Sequence, residues 1–308
     1  MWKHVIDDVP LQTRLPTELL YDIIDNLHND RPALHACTLV AHTWLLPARR
    51  NLFRSLHIVQ REDGKEPSHI TEFAAFLKTS PVIVEIIEEL HIQGSIPCPY
   101  TPPVSVLPNV IILAIMRDLP RLTSLILEGV RIDFGTPASD DTSLPLLEID
   151  PPPQPCSLTK LAFVDVVMTV DHLSHILSYA GSVQTLHFLY VVMDGCSGPV
   201  ETLIPDLGIQ SLVIESQYLS DENLSAPILF KLIPSLKFTL TSLDTELVSP
   251  RETRYSGEEI RFLGPFFAEV GPGLLDLRLD LIAESHVYED YSPCKIPLFI
   301  FAHLMNYI

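Results

Sequence analysis

The chain has 308 residues, 47% of them apolar, with 39 acidic against 20 basic side chains and a formal charge of −19. That length suggests two structural units or one elongated array. The apolar fraction is ample for a core, and the acidic excess argues against nucleic acid as a partner, because phosphate binding depends on cationic contacts that release counterions.

The charge is uneven. Residues 1–60 hold six basic and six acidic side chains, so residues 61–308, with the remaining fourteen basic and thirty-three acidic, carry the whole −19. Basic or neutral protein surfaces suit such a region. Arg49, Arg50, Arg54 and Arg61 form the one basic cluster, read as a solvated helical face. The five cysteines are far apart, which argues against a zinc site and a disulfide framework and points to a reducing compartment. The N-terminus lacks an apolar run of signal-peptide type. "VIILAIM" (110–116) and the closing "IPLFIFAHLMNYI" (296–308) both fall short of the roughly 20 apolar residues of a membrane helix. The expected location is cytoplasmic and/or nuclear, without membrane insertion.

After a tail over residues 1–13, the first element is an amphipathic helix. Leu19, Leu20, Ile23, Ile24 and Leu27 fall on one side at 100° per residue, with Pro16 in the first turn and Glu18 complementing the helix N-terminus. Asp30 is placed to cap a second helix, which carries Leu34, Cys37, Ala41 and Trp44, and a third piece is expected from about Pro47. Five buried Leu and Ile side chains stabilise by about 7–15 kcal/mol before entropy is subtracted. Three short helices cannot bury both sides of this pattern against one another. Some of the surface should therefore meet the rest of the chain, as a helical cap, or an outside partner.

"LPTELLYDII..L" followed by "LVAHTW" resembles the F-box, a helical motif of about 45 residues, with Leu15, Pro16, Glu18, Leu19, Leu20, Ile23, Ile24 and Leu27 on its first half and Leu34, Leu39, Val40 and Trp44 on its second. Ala41 and His42 depart from the pattern without removing an apolar anchor. The variant is similar to F-boxes of mushroom-forming fungi. The resemblance implies docking onto the Skp adaptor of a Skp-cullin-F-box ubiquitin ligase through Leu15, Pro16, Leu19, Ile23, Ile24, Leu27, Val40 and Trp44. The remainder of the chain would then bind a protein substrate.

Past residue 60 a phrase, apolar-x-x-Leu-x-apolar, recurs around Leu90, Leu125, Leu161, Leu186, Leu212 and Leu277, with an irregular "SLKFTL" near Phe238 in the longest gap. Self-similarity at 25 to 36 residues points to a solenoid, and the phrase resembles the strand of a leucine-rich repeat. Helices are expected at "ITEFAAFLKTS", "VIILAIMRDL", "VDHLSHILSYAG", "PILFKLI" and "EIRFLGPFFAEVG". The usual Asn after the strand is replaced by Gly94, Gly129 and Asp165. Proline-rich stretches at 94–108 and 135–157 read as surface loops. The expected fold class is thus an α+β repeat protein: a short all-helical F-box (14–58) followed by an irregular leucine-rich-repeat solenoid (59–308).

Strand alternation turns His91, Gln93, Glu128, His187, Glu215, Arg278 and Asp280 outward, as a candidate substrate-binding face with Ile126, Ala162, Val164, Leu189 and Val213 as its apolar centre. No catalytic residue, cofactor or metal is expected. His172 and His175 share a helical face but lack a third ligand at suitable spacing, and adjacent carboxylates such as Glu88 and Glu89 point opposite ways on a strand. The alternative is a leucine-rich-repeat protein-interaction scaffold whose N-terminal helices only cap the array.

Overall fold

In a computed structural model, the described residues are 16–60, 69–94, 105–133, 156–193, 207–218, 240–249, 267–268 and 273–283, with backbone alone for 216–218, 246–249 and 280–283. Contacts divide the chain into two units, Met1–Ser55 and Leu56–Ile308.

Three helices build the first unit: α1 (Thr17–Asp25), α2 (Arg31–Val40) and α3 (His42–Arg54). Asp30 caps α2, its Oδ1 accepting from the Ala33 N–H at 2.9 Å, with Pro32 in the first turn where a missing donor is harmless. Helix α3 begins five residues before the expected start. Pro47 lies inside it and is itself buried, so the proline sets no boundary. Leu20, Ile24, Leu34, Cys37, Ala48 and Leu52 form a closed core, with Leu27, Trp44 and Phe53 packed at its margin. Asn51 of α3 donates to Asp25 Oδ1 of α1 at 2.7 Å and ties the third helix to the first.

The second unit is organised by β1 (Ser55–Val59), β2 (Glu89–Gln93), β4 (Ser124–Glu128), β6 (Cys156–Val164), β8 (Ala180–Leu189), β10 (Ser211–Tyr218), β11 (Ser242–Ser249) and β12 (Asp276–Ala283). They lie side by side in chain order in one eight-stranded sheet, parallel from β2 to β12. Short strands β3 (Val106–Pro108), β5 (Arg131–Asp133), β7 (Val167–Met168) and β9 (Val192–Met193) make a second, four-stranded parallel sheet. Helices α4 (His69–Thr79), α5 (Pro81–Val84), α6 (Asn109–Asp118) and α7 (Val170–Tyr179) lie between strands in the sequence.

Register explains the recurring leucine. Leu90, Leu125, Leu161, Leu186, Leu212, Leu243 and Leu277 are successive partners across the sheet, and all but Leu277 are buried. Two residues on, Ile92, Leu127, Phe163, Phe188 and Ile214 form a second buried row, with the Phe163 and Phe188 rings stacked at 5.5 Å. Ile70 and Leu77 of α4, Ile112 and Met116 of α6, and Leu173 and Ile176 of α7 share this core.

Strands β4, β6 and β8 pass to β5, β7 and β9 through sharp corners. Gly129, Asp165 and Tyr190 have φ of 61°, 51° and 53°, the left-handed region that a tyrosine seldom enters. Their N–H groups still donate to the neighbouring strand, at 2.9, 2.8 and 3.4 Å, so the large sheet's ladder extends to the corner itself.

The expected fold class, a short all-helical F-box followed by an irregular leucine-rich-repeat solenoid, is therefore corrected. The chain is a mostly parallel α/β fold with a large eight-stranded sheet and a second, smaller sheet. The physical reason is that spaced leucines fix which face of a strand is buried. They do not fix how long the strand runs or what fills the interval, and here several strands reach eight to ten residues, while α4, α5, α6 and α7 fill intervals before β8. Two further expectations change. Residues 106–108 of the first proline-rich stretch form β3, and residues 156–157 of the second open β6. Apart from Gly94 and Ser105, the rest of those stretches, the tail 1–13, "PILFKLI", nearly all of "EIRFLGPFFAEVG" and the closing apolar segment lie outside the described residues.

Candidate protein-interaction surfaces

In the helical unit, the residues assigned to adaptor docking divide into two sets. Ile24 is fully buried, and Leu27 and Trp44 pack at the margin of the core, so these three hold the unit together. Pro16 is exposed, as are Leu19 (49%), Ile23 (41%) and Val40 (66%). Leu15 lies outside the described residues. The periodicity of α1 explains the division: its apolar arc is wider than the core it covers, so one edge faces in and the other faces solvent. Two further exposed apolar side chains fall outside the assigned set, Leu39 (87%) and Leu46 on α3. Leu39 stands in the quoted motif, and its place at the exposed end of α2 is what the sequence left open.

On the large sheet, the face opposite the buried leucines carries the candidate substrate residues, and register aligns them. One row runs His91, Ile126, Ala162, His187, Val213, Asp244 and Arg278, and the next runs Gln93, Glu128, Val164, Leu189 and Glu215. His91 Nε2 is 2.7 Å from Glu128 Oε2, and Gln93 Nε2 donates to Glu128 Oε1 at 3.1 Å. An ionised carboxylate only accepts, so His91 carries its proton on Nε2. Across the sheet His187 Nε2 meets Glu215 Oε2 at 3.2 Å, and Arg278 Nη1 donates to Asp244 Oδ2 at 3.5 Å. Asp280 lies on β12, two residues beyond Arg278, with only its backbone described.

His57 of β1 completes this network. Its ring stacks on His91 at 4.3 Å, and its Nε2 lies 2.9 Å from Gln93 Oε1, so Gln93 is held at both ends. The signal for it was present: Phe53, Leu56 and Ile58 repeat the apolar-x-x-Leu-x-apolar phrase, inside a stretch read only as helical. Asp244 was missed for a similar reason. Thr245 stands where the phrase calls for an apolar residue, yet it is buried, so β11 did not register as a strand.

Electrostatics concentrate at the corner beside Glu128. Burial, and then the Glu128 carboxylate, push the Asp165 carboxyl above its ordinary value. Elsewhere, His172 completes the capping box of α7, whose N-cap is Thr169. The Thr169 side chain accepts from the His172 N–H, His172 Nδ1 accepts from the Thr169 N–H, and burial lowers the imidazole's proton affinity. His175 lies 3.5 Å from the Asn109 amide. Among the described residues no three His, Cys, Asp or Glu side chains are gathered as a metal site, and no helix is long and apolar enough to cross a membrane.

Chemically, the helical unit exposes large apolar side chains on α1, α2 and α3, and the outward rows of the sheet carry fixed hydrogen-bonding groups. Both suit protein recognition. No protein-family model matches the chain, and no curated protein matches its sequence.

Proposed function

We propose that this chain is the substrate-recognition subunit of a Skp-cullin-F-box type ubiquitin ligase. Its three-helix unit docks the Skp adaptor, and the outward face of its large sheet binds the target protein. The observation that carries the reading is the two-sidedness of the helical unit. It closes a core of its own around Ile24 and Leu34 and still exposes Leu19, Ile23, Leu39 and Val40, all within the stretch that resembles the F-box. Large apolar side chains left in solvent on α1 and α2 are ones that a docked partner would cover. The adaptor set becomes Pro16, Leu19, Ile23, Leu39 and Val40, while Ile24, Leu27 and Trp44 hold the unit's shape.

The reading needs no catalytic residue or cofactor in this chain, because such a subunit brings a target to an enzyme elsewhere in the complex. It also fits a cytoplasmic or nuclear setting, with Cys37 and Cys156 as free thiols.

Co-purification with a Skp adaptor tests it. The triple variant Leu19→Ala, Ile23→Ala, Val40→Ala should lose capture by about tenfold or more, with its helical circular-dichroism signal unchanged. A variant that captured the adaptor as well as the unaltered protein would refute the docking role and leave the helices as a structural cap.

A further inference from the structure

The target-receptor reading of the sheet leaves open what kind of segment it takes, and the outward face constrains that choice. Its described side chains include the carboxylates Glu89, Glu128, Glu215, Asp244 and Asp276, against Lys160 and Arg278 as cations, with Asp165 at the corner near Glu128. Within the row Gln93, Glu128, Val164, Leu189 and Glu215, the two glutamates flank two apolar residues. All of these are at least partly exposed.

Spacing converts that row into a sequence preference. Glu128 on β4 and Glu215 on β10 are three strand steps apart, about 14 Å at the usual interstrand distance. An extended peptide rises about 3.4 Å per residue and presents residues i, i+2 and i+4 on one side, so i to i+4 also spans about 14 Å. We propose that this face captures an extended cationic segment of the target. Lys or Arg at its first and fifth positions would meet Glu128 and Glu215, and an apolar side chain at its third would lie over Val164 and Leu189.

The existing hydrogen bonds leave room for this. Each Glu128 oxygen is given one donor by His91 or Gln93, and an ionised carboxylate accepts about four. Those two donors also hold the carboxylate in place before a ligand arrives. Asp165, next to Val164 and close enough to Glu128 to feel its charge, adds negative potential at the first position. The whole formal charge of −19 resides in this part of the chain and favours approach of a basic partner.

The proposal rests on the sheet being a target-binding surface, and its test separates it from adaptor docking. Fluorescein-labelled peptides with a Lys-Ser-Leu-Ser-Lys core are titrated into the full chain and followed by fluorescence anisotropy. Binding should weaken by about tenfold when both lysines become Glu or when they stand three apart instead of four, and it should fall with added salt. In the protein, Glu128→Gln with Glu215→Gln should weaken binding of the Lys peptide by about tenfold while adaptor capture stays unchanged. Equal binding of the Glu peptide, or of the Lys peptide to a folded double variant, overturns the proposal, whichever way adaptor capture behaves. Should the double variant unfold, the peptide series on the unaltered protein decides alone. Loss of adaptor capture by the docking-edge variant with peptide binding intact, or the reverse, shows which of the two readings has failed.

Discussion

The helical unit and the sheet unit solve the burial problem in opposite ways. In the sheet, each strand's inward residues meet equivalent residues of the next strand, so buried rows extend from Leu90 to Leu243 and share one core with α4, α6 and α7. In the helical unit, six residues close a core and the apolar arc of α1 extends past it, leaving Leu19 and Ile23 in solvent beside buried Leu20 and Ile24. The contrast teaches that an apolar pattern wider than the available core leaves side chains in solvent, whereas a pattern repeated in register is buried as continuous rows. Charge divides along similar lines: residues 1–60 are neutral overall, and residues 61–308 carry the whole −19.

The largest effect should come from breaking the shared core. Phe163→Ala removes a fully buried ring stacked on Phe188 and should destabilise the sheet unit by about 3–5 kcal/mol. Denaturant unfolding followed by sheet-specific circular dichroism measures it. A loss below about 1 kcal/mol would mean that the row does not act as a continuous core.

Adjacent residues on α1 sharpen the comparison. Ile24→Ala should destabilise the helical unit by about 2–5 kcal/mol, since its side chain is wholly inside. Ile23→Ala, one residue away, should change stability by no more than about 0.5 kcal/mol while weakening adaptor capture. Thermal melts run beside the co-purification separate the two outcomes. Equal destabilisation by both substitutions would mean that Ile23 belongs to the core.

At the corners the expected effect is smaller. A Cβ at Gly94 would run into the carbonyl oxygen of Gly129 and stand 3.0 Å from Ser105 Cβ. Gly94→Ala should therefore cost about 1–3 kcal/mol by forcing neighbouring strand ends apart. A melting temperature unchanged by that substitution would show that the corner relaxes freely.

Much of this was legible in the residues, and the limits have physical causes. The spaced leucines identified six of the eight long strands, because alternation in a half-buried strand leaves one face continuously apolar. They are silent on strand length and on how far the hydrogen-bonded ladder extends, so the phrase alone reads as a solenoid where the chain builds an eight-stranded α/β sheet. β11 escaped because buried Thr245 interrupts the apolar phrase, and the irregular "SLKFTL" given its place falls almost entirely outside the described residues. β1 escaped because its phrase follows α3 without a break and reads as more helix. The outward residues could be assigned from alternation alone. Their pairing could not, since His91 and Glu128 are 37 residues apart and meet only through strand register.

The smallest effect bears most directly on whether the sheet face is functional. Asp165 has φ of 51°, and burial with Glu128 raises its carboxyl above the ordinary value. The folded state thus holds this proton more tightly than the unfolded one. Its contribution to stability is greatest below the ordinary value of 3.8, which the unfolded chain keeps, and is lost as pH rises through the raised folded value. At neutral pH the charged carboxylate is a load on the fold. Asp165→Asn keeps a side chain tolerated at left-handed φ and removes the charge, so it should raise the melting temperature slightly at pH 7, by an amount that solvent screening of this exposed side chain keeps small. That gain should shrink on acidification and vanish below pH 3.8. The same variant should bind the Lys-Ser-Leu-Ser-Lys peptide more weakly, since it removes negative potential beside Glu128. Opposite signs in the melt and in the titration are expected of a residue kept for recognition at some expense of stability. A variant that gained stability with no loss of peptide binding would place Asp165 outside the recognition surface and narrow it to Glu128 and Glu215.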